Sequence, residues 1–375
     1  MNEPQNQQAI DEKVASLYNK LSELSTRMGG YPVSTDFNYE ALYKFLHLPL
    51  NNIGDPFEAG TYQVGTHEFE KEVVEFFAKL FMAKEDNYWG YVTNGGTEGN
   101  LYGLYLAREL YPKGIVYFSE DTHYSVSKNI NFLNMRHIMI KSQENGEIDY
   151  EDLHETLRIH RDVPAIIFAN IGTTMKEGKD DIIKIQGILQ DLRISDKYIH
   201  ADGALSGSFA MFMQPRPNFN FADGADSIAI SGHKFIGSPI PCGVVIAKRN
   251  LVQRIARSIG YIGTLDTTIT GSRNGFTPLL MWYKLQQLGM EGLKQRYLDA
   301  KNLADYAEQQ MKEKGLTVWR NNGALTLFFP EVPEWIKNKW QIATQGVSHL
   351  IVMPGLTKQT IDAVIQDIQK QSLDA

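Results

Sequence analysis

Two side chains near the middle of the chain have the types and the spacing to hold a reactive ring between them. Lys234 ends the segment Ser231-Gly232-His233-Lys234, which follows the apolar run 227–230. Asp202 lies at the end of another apolar run, in His200-Ala201-Asp202-Gly203-Ala204. A lysine on a short turn at a strand end can form a Schiff base, and an acid at a second strand end can keep a ring nitrogen protonated. This pair predicts a pyridoxal phosphate site.

A glycine-rich segment, 93–100 (TNGGTEGN), follows the first predicted strand and opens a predicted helix. Its glycines would let the backbone approach a phosphate, and the free N–H groups of a helix start attract anions. Alone, such a segment is more often a plain tight turn, but Lys234 and Asp202 favour phosphate binding. For Asp202 the alternative is a buried structural acid; its small neighbours Gly203 and Ala204 favour a flat ring beside it.

Other polar residues lie at predicted strand ends, where α/β sheets bind their ligands. His123 follows the second predicted strand and could stack on a planar cofactor, or form hydrogen bonds at a helix start. Thr173 and Thr174 follow the fourth strand, and one of these hydroxyls could contact the cofactor or cap the next helix. Ser231 and His233 flank the lysine and could bind the phosphate, with turn capping by the serine as the alternative.

The elements that must position these residues alternate along the chain. Seven short apolar runs are separated by helical segments, which is typical of an α/β protein with a mostly parallel sheet and helices on both faces. The predicted strands are 88–93, 115–118, 137–140, 165–169, 198–201, 227–230 and 244–247. A helix over 67–83, with apolar residues at helical spacing, precedes them.

The two ends of the chain predict separate parts. Residues 1–50 form an N-terminal arm with a helix over 11–28 followed by an irregular stretch, residues 51–276 a large cofactor-binding domain, and residues 277–375 a linking helix and a small C-terminal α+β domain. The linking helical region covers 277–315 and can contain a kink. The small domain has predicted strands at 316–319, 325–329 and 349–352 and helices at 334–343 and 358–371.

Composition limits the function classes. The 375 residues carry a net charge of −7, with both signs interspersed, so neither nucleic acid nor a membrane surface is expected as a partner. The only cysteine, Cys242, excludes an internal disulfide, and the absence of zinc-like spacing argues against a metal. The polar segment 1–13 lacks the apolar stretch of a signal peptide. We expect a cytoplasmic enzyme with a small-molecule substrate.

The motifs above together resemble the group II pyridoxal-phosphate amino acid decarboxylases of fold type I. The resemblance rests on Asp202-Gly203-Ala204, Ser231-Gly232-His233-Lys234, the segment 93–100 and His123-Tyr124-Ser125. Within this family the chain resembles most the bacterial histidine decarboxylases and the similar plant serine decarboxylases. The segments that carry this are Asn51-Asn52-Ile53-Gly54-Asp55-Pro56-Phe57, His67-Glu68-Phe69-Glu70 and the stretch 267–275 (TTITGSRNG). The similarity covers, in order, nearly the whole chain from about Tyr31.

The resemblance implies a role for each matching residue. Lys234 would bind the cofactor covalently, and Asp202 would pair with its ring nitrogen. Ala204 and His123 would lie against opposite faces of the ring. The phosphate would be surrounded by Gly95, Gly96, Thr97, Ser231 and His233.

Three further implications concern the substrate and a second subunit. Family members are homodimers with the site at the subunit interface. A mobile loop after the lysine often carries a catalytic tyrosine, for which Tyr261 is the candidate, although this loop is shorter than in the animal enzymes. Ser272 and Arg273 match positions near the substrate, which His123 would also contact.

The activity implied is that of a carboxy-lyase. L-Histidine is the first candidate, giving histamine and CO₂, and L-serine, giving ethanolamine, is the alternative. Another fold type I enzyme, such as an aminotransferase or a desulfurase, ranks lower because no arginine is matched for a second carboxylate. A non-catalytic module of this fold ranks lower still, since the first fifty residues are too short for a DNA-binding domain.

Overall fold

The computed structural model describes residues 6–58, 60–256, 258–259 and 264–374. Its centre is a seven-stranded sheet with the strand order β1-β7-β6-β5-β4-β2-β3. Strands β2 to β6 are parallel to one another, and β7 runs antiparallel to both β1 and β6. The strands are β1 (Trp89–Thr93), β2 (Ile115–Ser119), β3 (Arg136–Ile140), β4 (Ala165–Asn170), β5 (Lys197–Asp202), β6 (Ser227–Ser231) and β7 (Gly243–Ala247).

The predicted strands are confirmed, each to within one residue at either end. Most are completely buried, which explains why they are continuous apolar runs rather than alternating ones. β3 is the exception, because it forms an edge of the sheet and leaves Arg136 and Met139 exposed.

Helices cover both faces of the sheet, as predicted. Tyr117 of β2 packs in one hydrophobic core with the helices α2, α5 and α6, while its neighbours Val116 and Phe118 pack in a second core with α3 and α4. This alternation is the two-residue period of a strand. The helices are α1 (Gln7–Ser25), α2 (His67–Leu80), α3 (Gly96–Leu110), α4 (Ser125–Phe132), α5 (Tyr150–Ile159), α6 (Ile182–Asp191), α7 (Gly207–Ala210) and α8 (Arg249–Val252).

The chain then passes through a short hairpin and one long helix. The hairpin is formed by β8 (Ser258–Ile259) and β9 (Thr264–Leu265). The helix α9 (Phe276–Glu313) has 38 residues and is interrupted at Gly289, whose φ of 60° and ψ of −172° are not helical. The prediction of one long helical region with a kink is therefore confirmed.

A three-stranded antiparallel sheet and two helices complete the fold. The strands are β10 (Thr326–Phe329), β11 (Thr344–Gln345) and β12 (Val347–Ile351), and the helices are α10 (Glu334–Trp340) and α11 (Lys358–Asp374). These elements share a hydrophobic core with the end of α9. The predicted strand 316–319 is wrong in extent, because only Trp319 pairs, as an isolated bridge to Phe328. β11 has two residues and was not predicted.

The N-terminal helix α1 differs from the other helices because none of its residues is buried. It begins four residues before the predicted start, since the side chain of Asn6 accepts a hydrogen bond from the Ala9 N–H and caps it. The irregular stretch after it contains a 3₁₀ helix, Glu40–His47. Along α1 an apolar stripe consists of Ile10, Val14, Leu17, Leu21 and Leu24, all exposed. Within the described residues we find no helix with the length and apolar character needed to cross a bilayer.

Candidate active site

The acid of the site lies at the carboxyl end of β5. Asp202 is only 6% exposed. Its Oδ1 accepts a hydrogen bond from the Ala204 N–H (3.0 Å), and its Oδ2 accepts one from Asn100 Nδ2 (2.8 Å). Burial raises the pKa of Asp202, whereas these hydrogen bonds and the positive charge of Lys234 oppose the rise.

The amine of the site lies on the turn after β6. Lys234 belongs to the irregular turn Gly232–Ile236, which ends at Gly237 with a φ of 89°, a left-handed conformation that glycine adopts without strain. Burial lowers the pKa of Lys234, and the carboxylate of Asp202 opposes that effect. β5 and β6 are adjacent and parallel, so the segments that follow them open at the same edge of the sheet. The acid and the amine therefore line one cavity.

Residues far away in sequence hold the backbone of this turn. The Lys234 carbonyl accepts from the Ser34 N–H (3.2 Å). The Phe235 carbonyl accepts from Ser34 Oγ (3.1 Å) and from Arg296 Nε (3.0 Å). The Arg296 guanidinium also forms an ion pair with Asp36. The lysine is thus positioned by the N-terminal segment and by α9.

The start of α3 brings free N–H groups to the same cavity. Gly95 has a φ of 146°, a conformation that residues with a side chain rarely adopt. A Cβ at Gly96 would lie 2.8 Å from both Ala204 Cβ and Ser231 Oγ, so the helix start touches the segments that follow β5 and β6. Thr97 completes this anion-binding end of the cavity.

Two histidines also line the cavity. His123 lies between β2 and α4, and its Nδ1 is 2.8 Å from Ser125 Oγ. Burial lowers the pKa of His123, with the Asp202 carboxylate opposing. His233 Nδ1 lies 3.0 Å from the Cys242 carbonyl oxygen and 3.3 Å from the Cys242 amide nitrogen, so the backbone of Cys242 holds the ring in either tautomer. Burial lowers the pKa of His233 as well.

The cavity has a volume of about 700 Å³. Its wall includes ten residues that the sequence analysis assigned to the site, and these are Gly95, Gly96, Thr97, His123, Thr174, Asp202, Ala204, Ser231, His233 and Lys234. They come from the ends of four strands and from one helix start, and the fold brings them together.

Other predicted site residues lie elsewhere. Thr173 is not in the cavity wall, since its hydroxyl accepts from the Gly178 N–H (2.9 Å) within a turn. Ser272 Oγ accepts from Asn51 Nδ2 (3.2 Å) at an exposed position. Arg273 is 4% exposed and forms a buried ion pair with Glu70 outside the cavity wall. Tyr261 lies outside the described residues. The functional roles of these four residues stay predictions.

The cavity wall also contains residues to which the sequence analysis gave no role. The segment 30–33 of the N-terminal arm is one, and Asn100 is another. His349 of β12 is 1% exposed, and its Nε2 lies 3.0 Å from the Gly30 carbonyl. No hydrogen-bond partner for its Nδ1 is found among the described residues. A histidine within an apolar strand was the only signal in the sequence.

These residues fit pyridoxal phosphate. The cavity offers an amine for the carbonyl, a buried acid for the ring nitrogen and a glycine-lined helix start for the phosphate. Asp202 cannot be replaced in this role by a second acid, because no other carboxylate-bearing residue except Glu98 lies in the described cavity wall, and Glu98 accepts from Tyr91 OH (3.1 Å) and the Asn94 N–H (3.0 Å). The fold and the site therefore define a fold type I pyridoxal phosphate enzyme.

Comparisons with known proteins give the family. Residues 65–319 match the profile described as the pyridoxal-dependent decarboxylase conserved domain, so the chain belongs to the pyridoxal-dependent decarboxylases. It is 54% identical over 372 residues to a histidine decarboxylase of Mesorhizobium japonicum, covering 99% of this chain and 100% of the relative. It is 46% identical over 343 residues to a histidine decarboxylase of Morganella morganii, covering 90% of this chain and 91% of that one.

A solved structure confirms the fold. L-Methionine decarboxylase from Streptomyces sp. 590 superposes with a TM-score of 0.91 at 24% identity, covering 98% of this chain and 95% of that chain. At that identity the similarity bears on the architecture alone.

Proposed function

We propose that this protein is a carboxy-lyase that converts L-histidine to histamine and CO₂. The observation that carries the proposal is the 54% identity, over 99% of the chain, to a histidine decarboxylase. The site supports it, because Lys234, Asp202 and His123 line one cavity together with an anion-binding helix start.

Pyridoxal phosphate, when bound, supplies the electron sink for the pair of electrons that CO₂ leaves behind. The chain's own residues prepare for that step. Asp202 holds a proton on the ring nitrogen, and this ion pair is strong because the carboxylate is buried. Gly95, Gly96, Thr97, Ser231 and His233 bind the phosphate and so fix the ring in the cavity.

Proton transfer depends on Lys234 and His123. The lowered pKa of Lys234 favours an unprotonated amine, which can act as a nucleophile toward the cofactor and later accept or donate a proton. His123 and Ala204 would flank the ring on opposite faces, and His123 is a candidate to contact the substrate carboxylate. Tyr261 is a further candidate for the proton donor, and Ser272 and Arg273 are candidates for substrate contacts.

The test is to incubate the purified holoenzyme with single amino acids and to identify the amine formed. Histamine from histidine, at a rate well above that with any other amino acid, is the expected result. Ethanolamine from serine alone would replace the proposal by its alternative. A ketoacid formed in place of an amine would contradict the proposed decarboxylation.

We also propose that the enzyme is a cytoplasmic homodimer with its sites near the subunit interface. The apolar stripe of α1, defined above, has the 4-3-4-3 spacing of a coiled-coil seam and no partner within the described chain. A second copy of the chain would cover it. Leu17→Glu within the stripe should shift the mass measured by light scattering from dimer toward monomer, whereas the matched change Asn19→Glu, on the side of α1 away from the stripe, should not.

A further inference from the structure

A hydrogen-bonded row of buried polar side chains runs along β5 and ends at Asp202. The Tyr198 hydroxyl donates to Ser227 Oγ at 2.8 Å. Ser227 Oγ lies 2.7 Å from His200 Nδ1, and His200 Nε2 lies 2.9 Å from Asn100 Oδ1. Asn100 Nδ2 then donates to Asp202 Oδ2 at 2.8 Å. All four residues that lead to Asp202 in this row are buried, and of these four only Asn100 lines the cavity wall.

The donor and the acceptor of every hydrogen bond in this row can be assigned. Asn100 turns its amide nitrogen to Asp202, so it presents to His200 an oxygen that can only accept, and His200 Nε2 must carry the hydrogen. Burial lowers the pKa of His200 to about 3, so the ring is neutral and its Nδ1 accepts from the Ser227 hydroxyl. The Ser227 oxygen accepts in turn from Tyr198. In every hydrogen bond of the row, therefore, the hydrogen is directed toward the Asp202 carboxylate.

The packing around His200 leaves the ring little freedom. α3 crosses the sheet so closely that a Cβ at Gly103 would lie 2.2 Å from His200 Nδ1. On another side the ring centroid of Phe168 is 5.1 Å from that of His200. One turn before Gly103, α3 carries Asn100. The same close approach thus fixes both the histidine and the amide that it orients.

We propose that Asn100, His200, Ser227 and Tyr198 form a positioning relay that keeps the Asp202 carboxylate ionised and oriented toward the cavity, and thereby sets how firmly the bound cofactor holds its ring proton. This inference rests on the proposed cofactor, and it deepens the role of Asp202. Aligned hydrogen bonds in a medium of low dielectric polarise one another, and a hydrogen bond to a charged group stabilises that charge more than one to a neutral group. Without the relay, Asp202 would keep only the Ala204 N–H and the nearby positive charge of Lys234 to oppose the effect of burial, which favours the neutral acid.

The experiment measures the protonation of the cofactor's ring nitrogen directly. Apoprotein is reconstituted with pyridoxal phosphate labelled with ¹⁵N in the ring, and the ring-nitrogen chemical shift is followed against pH, together with the Kd of the cofactor. We expect the ring nitrogen of the unaltered protein to stay protonated over the stable pH range. In Asn100→Leu its apparent proton affinity should fall on the order of tenfold or more, since a hydrogen bond to a buried charge is lost.

Two substitutions at one position separate orientation from mere packing. His200→Gln can place an N–H donor where Nε2 lies and should behave like the unaltered protein. His200→Asn is too short to reach Asn100 and should lower the ring nitrogen's proton affinity roughly threefold to tenfold. Tyr198→Phe, at the far end of the relay, should have the smallest effect. Tyr117→Phe is the matched control, since it removes a buried strand hydroxyl outside the relay.

Thermal unfolding of each apoprotein tells a folding defect from a positioning one. If all relay variants lower stability but leave the ¹⁵N titration and the cofactor Kd unchanged, the relay is structural and the proposal is overturned. Equal titrations for His200→Gln and His200→Asn would overturn it too. If the unaltered holoenzyme makes no amine while the graded ¹⁵N response is found, the proposed function fails and this inference stands.

Discussion

The two ends of the cofactor cavity are built by different means. At the acid end, Asp202 is the last residue of the regular strand β5. Its carboxylate is held by Asn100 of the helix α3, which packs on the sheet. At the amine end, Lys234 lies on an irregular turn whose carbonyls accept hydrogen bonds from Ser34 and Arg296, which belong to distant segments. The acid end is a property of the sheet. The amine end depends on the N-terminal segment and α9 being docked, so that part of the fold controls whether the lysine is in place.

Lys234→Ala should have the largest effect. The amine that binds the cofactor is lost, so we expect kcat to fall on the order of 10³-fold or more while the fold persists. The turnover rate measures the loss of kcat, and the melting temperature shows whether the fold persists. Lys248→Ala, which removes an amine paired with Asp226 away from the cavity, is the control and should keep full activity. Activity of Lys234→Ala equal to that of the unaltered enzyme would disprove the assignment.

Asp202→Ala tests the acid end. Without the carboxylate that would keep the ring nitrogen protonated, the cofactor would be a weaker electron sink, so we expect kcat to fall on the order of 10²–10³-fold, even where the cofactor still binds. Asp180→Asn is the matched control: Asp180 is a fully buried aspartate, with its pKa raised by burial to about 7, that accepts from the backbone N–H groups of Ile148 and Asn170. It should alter stability and leave the cofactor spectrum unchanged. Normal rates in Asp202→Ala would contradict the account.

Arg296→Met tests the amine end without touching the cavity. It removes an ion pair whose Asp36 side chain is 37% exposed and leaves the Phe235 carbonyl with one donor fewer, so we expect about 1.5–2 kcal/mol of destabilisation. The rate at which the cofactor attaches to Lys234, measured by absorbance, should fall together with the stability. Asp36→Asn combined with Arg296→Met removes the unpaired charge and should recover part of the stability but not the rate of attachment. Unchanged attachment in both would show that the turn positions itself.

Ser34→Ala should have the smallest effect of the four. It removes the hydroxyl bond to Phe235 and keeps the backbone N–H bond to Lys234, so we expect about 1 kcal/mol of lost stability and a modest rise in the Kd of the cofactor. Chemical denaturation and a cofactor titration measure these. A larger loss than in Arg296→Met would reverse the order in which we rank the two supports.

The same contrast explains what the sequence could predict. The strands and Asp202 follow from local apolar runs and from small residues beside the acid, so both the sheet and the acid end were predicted within a residue. Arg296 lies within a helix predicted only as a link between domains, and nothing local shows that its side chain reaches the lysine turn. Arg273 was predicted near the substrate, which stays a prediction, and its ion pair with Glu70, 203 positions away, was not predicted at all. Such contacts depend on tertiary packing, which periodicity does not encode. The division into three domains stays a prediction.

The central claim is that this cavity holds pyridoxal phosphate on Lys234, with Asp202 at the ring nitrogen. It is tested most directly by adding the cofactor to the purified protein, reducing with borohydride and mapping the modified peptide by mass spectrometry. The account predicts a single pyridoxyl group on Lys234. A label on a different lysine, or no label at all, would contradict it.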